Sequence, residues 1–200
     1  KNYKLQPETT GIKMMLDILH RSRMQFPGMG MGFIKRMLDE AYTHCFNRKV
    51  GTGNLLCMDN VQHQISRLQA AYTICSAMCT RSSSISGIAN NLATEGLEAN
   101  TMKTVVTDLM QESAQLLVQL SGAKGYRTSH IGGRGIMDSR PFQIFEGSNE
   151  MLYAQIAEMV TKTMKKQKQP QLYAYLKEFT LTTKVANYFR EEINFSLDEH

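Results

Sequence analysis

VQHQISRLQAAYTICSAMC, residues 61–79, decides the fold class of this chain. Its apolar residues Val61, Ile65, Leu68, Tyr72, Cys75 and Cys79 recur in alternating steps of four and three. At 3.6 residues per turn that spacing paints one continuous stripe along a helix, the seam of a bundle. Three other stretches read the same way. One runs through Phe33, Ile34, Met37, Leu38, Ala41, Tyr42, Cys45 and Phe46, after Pro27 and an entry containing Gly28, Gly30 and Gly32. Another runs from Met102 through Val105, Leu109, Leu116 and Leu120, and the last from Met151 through Ile156, Met159 and Val160. Strand signals are nearly absent: no period-two run of β-branched residues stands out, and the one short candidate, Phe142 to Phe145, is bounded by Pro141 and Gly147. Long helices joined by few residues predict an all-α fold, an up-and-down four-helix bundle.

The 200 residues suffice for one domain with a real core, or a core plus a tail. We divide the chain into a bundle domain over 1–163 and a helical extension over 164–200. Beyond Thr161 the sequence turns Lys-rich, at Lys162, Lys165, Lys166 and Lys168. It then passes Pro170 and resumes an amphipathic pattern through Leu172, Tyr175, Leu176 and Phe179, an appended C-terminal helix. Apolar residues at 42% and charged ones at 20% are too apolar a mixture for disorder, and no run approaches the roughly 20 residues of a membrane span. The net charge of +5 suits an anionic ligand without demanding nucleic acid. The first residue is Lys1 and no basic-then-apolar leader follows it, so we expect an excised part of a longer protein. The four cysteines, Cys45, Cys57, Cys75 and Cys79, form no CxxC pair, which predicts reduced thiols in a cytoplasmic protein and no metal site.

Three connections interrupt the helices: Lys49 to Met58, Gly87 to Gly96, and Ser121 to Ser148. The last holds six of the fourteen glycines and is far longer than a helix hairpin needs, so it is where chemistry is expected. Neither glycine cluster, at 28, 30 and 32 or at 132, 133 and 135, follows a strand, which argues against a dinucleotide fingerprint. A carboxylate-bridged di-iron site needs paired Glu-x-x-His motifs, and the nearest approach is the single Asp17 to His20 spacing. The lysines near 165 read as a cationic helix end, because no aromatic residue interleaves them as nucleic-acid binding would require. Glu146 is more informative. It follows the apolar Phe142, Ile144 and Phe145 and precedes Gly147. A carboxylate among apolar side chains loses hydration, which favours taking up a proton, and a glycine lets a ligand approach the backbone closely. The competing reading is a carboxylate at the entry of the next helix, with Ser148 or Asn149 as its N-cap.

The long connection carries Gln119-x-x-Gly122-x-x-Gly125-Tyr126, then Asp138-x-Arg140, then Ile144-Phe145-Glu146-Gly147-Ser148. This pattern resembles the signature of the flavin-dependent acyl-CoA dehydrogenase family in its C-terminal helical-bundle domain. Arg23, in His20-Arg-Ser-Arg23, resembles the family's substrate-proximal arginine, and Arg48, 25 residues on, its arginine directed at a neighbouring subunit's FAD. The resemblance covers roughly residues 1 to 163. It implies that Glu146 removes the α-proton of an acyl-CoA thioester while a hydride leaves the β-carbon for the flavin. It further implies that Gly147 and Arg23 border the substrate. Arg48, Gln119, Gly122, Ala123, Ser148 and Glu150 would contact FAD. The implied partners are acyl-CoA, an electron-accepting flavoprotein, and further copies of the chain in a dimer or tetramer. Departures stand at Gly51-Thr52 and Met58-Asp59, where the family has Phe-Gly and Phe-Gln, and at Ala123 and Met137. They keep open a second reading, a non-dehydrogenating relative whose bundle serves ligand binding or interaction.

Overall fold

The computed structural model describes residues 9–180 and 182–197. The fold is all-α, a helical bundle, with α1 (Gly11–Arg23), α2 (Phe26–Asn47), α3 (Asp59–Ile85), α4 (Gly96–Ser121), α5 (Ile131–Ser139), α6 (Asn149–Lys166), α7 (Leu172–Lys177) and α8 (Thr183–Tyr188). Two compact units divide between Leu152 and Tyr153, inside α6. Among the described residues no helix is long and apolar enough to cross a membrane.

In the first unit α2 packs on α3 and α4, and α1 packs on α4. The stripes predicted on α2, α3 and α4 supply the core: Met37, Ala41 and Cys45 meet Leu68, Ala114 and Leu117 in one cluster. In a second cluster Phe26 and Ile34 meet Ala71, Cys75, Val106 and Met110. Each large side chain so buried contributes about 1.5–3 kcal/mol relative to exposure. The α2–α4 contact is close enough that Gly30 has no room for a side chain: a Cβ there would lie 2.2 Å from Val106 Cγ1.

α1 is a bundle helix that apolar periodicity does not reveal. Thr10 caps it by accepting from the Lys13 N–H at 3.4 Å. Its inner face carries the buried polar residues His20 and Arg23, while Ile12, Met15 and Ile18 are exposed. Those polar groups tie down the connection between α3 and α4. His20 Nδ1 donates to the Leu92 carbonyl at 2.7 Å, Arg21 donates to the carbonyls of Ser86 and Asn90, and Asp17 accepts from the Leu92 N–H at 2.6 Å. That last bond is the largest of the influences holding the Asp17 carboxyl below the usual carboxylate range, and Arg21 adds to it.

Two details depart from the sequence reading and a third agrees with it. The connection after α2 contains a small antiparallel hairpin, β1 (Lys49–Val50) paired with β2 (Gly53–Asn54), too short to leave a period-two pattern. Phe142 to Phe145 forms no strand, in keeping with the all-α reading: a 3-10 turn over Arg140–Gln143 is followed by turns. The single appended helix is two short ones, α7 and α8. The hydroxyls of Thr182 and Thr183 donate to the carbonyls of Leu176 and Lys177, the last residues of α7, and so satisfy its end. The four cysteines are free, Cys45 and Cys75 buried and Cys57 exposed, and burial pushes the Cys75 thiol up to about 11.

Candidate functional site

The long connection between α4 and α6 is ordered around α5 and leads into a tight turn at 144–148. Phe142 and Phe145 pack on Phe26 at the start of α2, with ring centroids 5.8 and 5.9 Å away. That aromatic contact fixes the strip preceding Glu146. The next two residues are left-handed: Glu146 has φ +57 and Gly147 φ +93. For a residue with a Cβ this costs on the order of 1–2 kcal/mol, so the surroundings must impose it. At Gly147 a Cβ would meet Met151, Arg23 and Leu152 at 3.1–3.2 Å, so the turn closes only around a glycine. Ser148 is the N-cap of α6, its hydroxyl accepting from the Met151 N–H at 3.4 Å. The capping role expected there and the Glu146 turn therefore coexist. The Glu146 carboxylate belongs to no cap. Its Oε2 is buried and, among the described residues, accepts no hydrogen bond.

Two buried cations hold this turn from different helices. Arg23, 7% exposed at the end of α1, donates from Nε to the Glu146 carbonyl at 2.9 Å and from Nη1 to Asn100 Oδ1 at 2.6 Å. Burial lowers the affinity of its guanidinium for its proton, and Glu146 offsets part of that. Lys103 of α4, fully buried, donates from Nζ to the Gly147 carbonyl at 2.8 Å and to Asn149 Oδ1 at 2.7 Å. Asn149 in turn donates to Asp108 Oδ1 at 2.7 Å and Thr107 Oγ1 at 2.9 Å. Burial, reinforced by the like charge of Arg23, pushes the Lys103 ammonium down to about 8, against the pull of Asp108, Glu150 and Glu146. Lys103 is the side chain of this turn's network that the sequence reading missed. The signal is legible: it stands four residues after Ala99 and three before Val106, on the buried stripe of α4, where a charge is out of place.

The remaining candidates fall into two places. Arg48, Gly122 and Ala123 come together, lining a cavity of about 270 Å³ with His44, Ser121 and Lys124. A second cavity of about 530 Å³ shares Arg48, His44, Ser121 and Lys124 and adds Lys49, His130 and Glu40, whose carboxylate is paired with Arg36. The Ser121 hydroxyl is buried there without a hydrogen-bond partner among the described residues. Burial first, then the charges of Lys124, Arg48 and His130, hold the His44 imidazole below its ordinary value. Cations, an unengaged hydroxyl and a bare backbone at Gly122 fit the diphosphate of a dinucleotide such as FAD. Gln119 lies exposed on the last turn of α4 and lines neither cavity. Ser148 and Glu150 sit beside the Glu146 turn instead of the Arg48 cradle, and Glu150 is exposed in the first turn of α6.

The family model for the acyl-CoA dehydrogenase C-terminal domain matches residues 9–161, a span that contains both clusters. The chain belongs to that family. Solved structures of the same fold include butyryl-CoA dehydrogenase from Megasphaera elsdenii, 19% identical, TM-score 0.59, covering 75% of this chain and 38% of that one. They also include the prolyl acyl carrier protein oxidase AnaB, 17% identical, TM-score 0.70, covering 78% and 40%. An acyl-CoA dehydrogenase from Geobacillus kaustophilus is 17% identical, TM-score 0.67, covering 73% and 38%. The acyl-CoA dehydrogenase-type domain thus spans about two fifths of the length of these relatives.

Proposed function

We propose that this chain is the C-terminal helical domain of an FAD-dependent acyl-CoA dehydrogenase, with Glu146 as the base that takes the α-proton of an acyl-CoA thioester. The observation that carries the reading is the buried, unengaged Oε2 of Glu146 on a turn held by two cations. An oxygen with no donor of its own is free to accept a proton from carbon, and the pinned backbone spares the reorganisation a flexible loop would need. Arg23, which holds the Glu146 backbone carbonyl, and Gly147 would border the substrate, and the Glu146 N–H would polarise the thioester carbonyl and so acidify the α-carbon. Arg48, Gly122, Ala123, Lys124 and Ser121 would hold the flavin cofactor's diphosphate, with Arg48 reaching the flavin of a neighbouring copy in a dimer or tetramer. Bound FAD would supply the acceptor for the hydride leaving the β-carbon, and an electron-accepting flavoprotein would then reoxidise it. Loss of the α-proton to Glu146 and of the β-hydride leaves an α,β-unsaturated thioester.

The test is Glu146→Gln in the flavin-loaded protein. Acyl-CoA should no longer bleach the flavin, while the visible spectrum shows FAD still bound. Bleaching at the parent rate would remove Glu146 as the base.

A further inference from the structure

We infer that Lys103 is a positioning residue for this proton transfer, acting through the backbone of the Glu146–Gly147 turn and the side chain of Asn149. The inference rests on the reading of Glu146 as the base.

Two successive carbonyls of the turn, at Glu146 and Gly147, are each held by a buried cation from a different helix, Arg23 from α1 and Lys103 from α4. Gly147 is left-handed and follows a left-handed non-glycine, a pair of conformations that relaxes unless both ends are fixed. Lys103 also grips Asn149, the first residue of α6, so its ammonium spans the turn from the carbonyl after Glu146 to the start of the following helix. Both acceptors are uncharged oxygens. A buried ammonium set against them is a poor way to stabilise a bundle, because an apolar side chain of the same length would fill the space without losing hydration. Its chemistry suits positioning better, since a charge-assisted bond is shorter and stronger than a neutral one and so holds a carbonyl firmly in place. The groups facing the ammonium are Arg23, Asp108, Glu150 and Glu146. Lys103 is fully buried with its ammonium engaged by the turn, so it would act through the backbone and not on thioester or flavin directly. It sets where the Glu146 carboxylate stands.

The experiment uses the flavin-loaded protein, an acyl-CoA substrate and its α-deuterated form, with flavin bleaching followed in a single turnover. Lys103→Met should slow bleaching about 10- to 100-fold, the scale expected for a base displaced by about an ångström, with KM changed less than about twofold. The isotope effect on bleaching should rise, because proton removal becomes more fully rate-limiting. A defect in folding alone lowers the amount of active enzyme and leaves the isotope effect of the remainder unchanged. Asn149→Ser, which keeps Lys103 but removes one of its acceptors, should show a smaller slowing in the same direction and carries the test by itself if Lys103→Met does not fold. Parent rates and isotope effects in the folded variants overturn the role of Lys103 when Glu146→Gln is inactive. If Glu146→Gln still bleaches, the reading of the base fails first, and the positioning role falls with it.

Discussion

Gly30→Ala tests the closest helix contact in the bundle. The new methyl carbon would lie 2.2 Å from Val106 Cγ1, whereas carbon atoms rest at about 3.5–4.0 Å, so α2 and α4 must separate or Val106 must rotate. Val106 is fully buried and has no free direction in which to turn. Overpacking of this kind costs about 1–3 kcal/mol, and a collision with a stiff β-branched side chain belongs at the upper end. Against it stands the gain of about 1 kcal/mol when alanine replaces glycine inside a helix. The net expectation is a loss of about 1–2 kcal/mol, which for a chain of this size lowers Tm by roughly 2–8 °C. Thermal unfolding followed by circular dichroism measures it. Val106→Ala in the same background removes the colliding methyls, so the double variant should be more stable than the two single losses added together, by about 1 kcal/mol or more. A Gly30→Ala protein that melts at or above the parent temperature, or single losses that simply add, would refute the geometry.

Two other predictions concern the site. Gly147→Ala should abolish flavin bleaching and cost about 1–3 kcal/mol, since φ +93 disfavours any side chain and the methyl meets Arg23, Met151 and Leu152; a variant with full activity contradicts the described turn. Lys124→Gln should raise the His44 titration midpoint seen by NMR, because removing a like charge makes the imidazolium easier to form. In the parent protein the depressed His44 means that the unfolded chain binds more protons around that range. Stability contributed by His44 therefore grows as pH rises through the interval between the folded and unfolded values, and Lys124→Gln should narrow that interval; an unmoved midpoint would place Lys124 too far away to matter.

Apolar spacing located α2, α3 and α4 because their stripes are what the bundle buries. α1 inverts the rule, with His20 and Arg23 inside and Ile12, Met15 and Ile18 outside, so no count of apolar positions could place it in the core. On α6 the expected stripe is not the buried one: Met151, Ile156, Met159 and Val160 all keep some exposure, and Leu152 is the buried residue of that stretch. The glutamate and its glycine were legible from the Ile144 to Ser148 motif. The Lys103–Asn149–Asp108 network was not, because it joins residues 41 and 46 positions apart in sequence through side chains, and hydrogen bonds of that range leave no local pattern. Likewise the hydroxyl of Ser121 reads as an ordinary helix terminus until the cavity beside Arg48 is seen.

The solitary oxygen at Glu146 has a bearing on inhibitor chemistry. Among the described residues no protein group donates to it, so a ligand presenting an amide N–H or a hydroxyl at the position of the α-carbon would supply a donor where the natural thioester offers only a C–H. Such a compound should outcompete its plain hydrocarbon counterpart. The preference should shrink when residue 146 is glutamine, whose amide oxygen accepts the same bond without the charge that strengthens it.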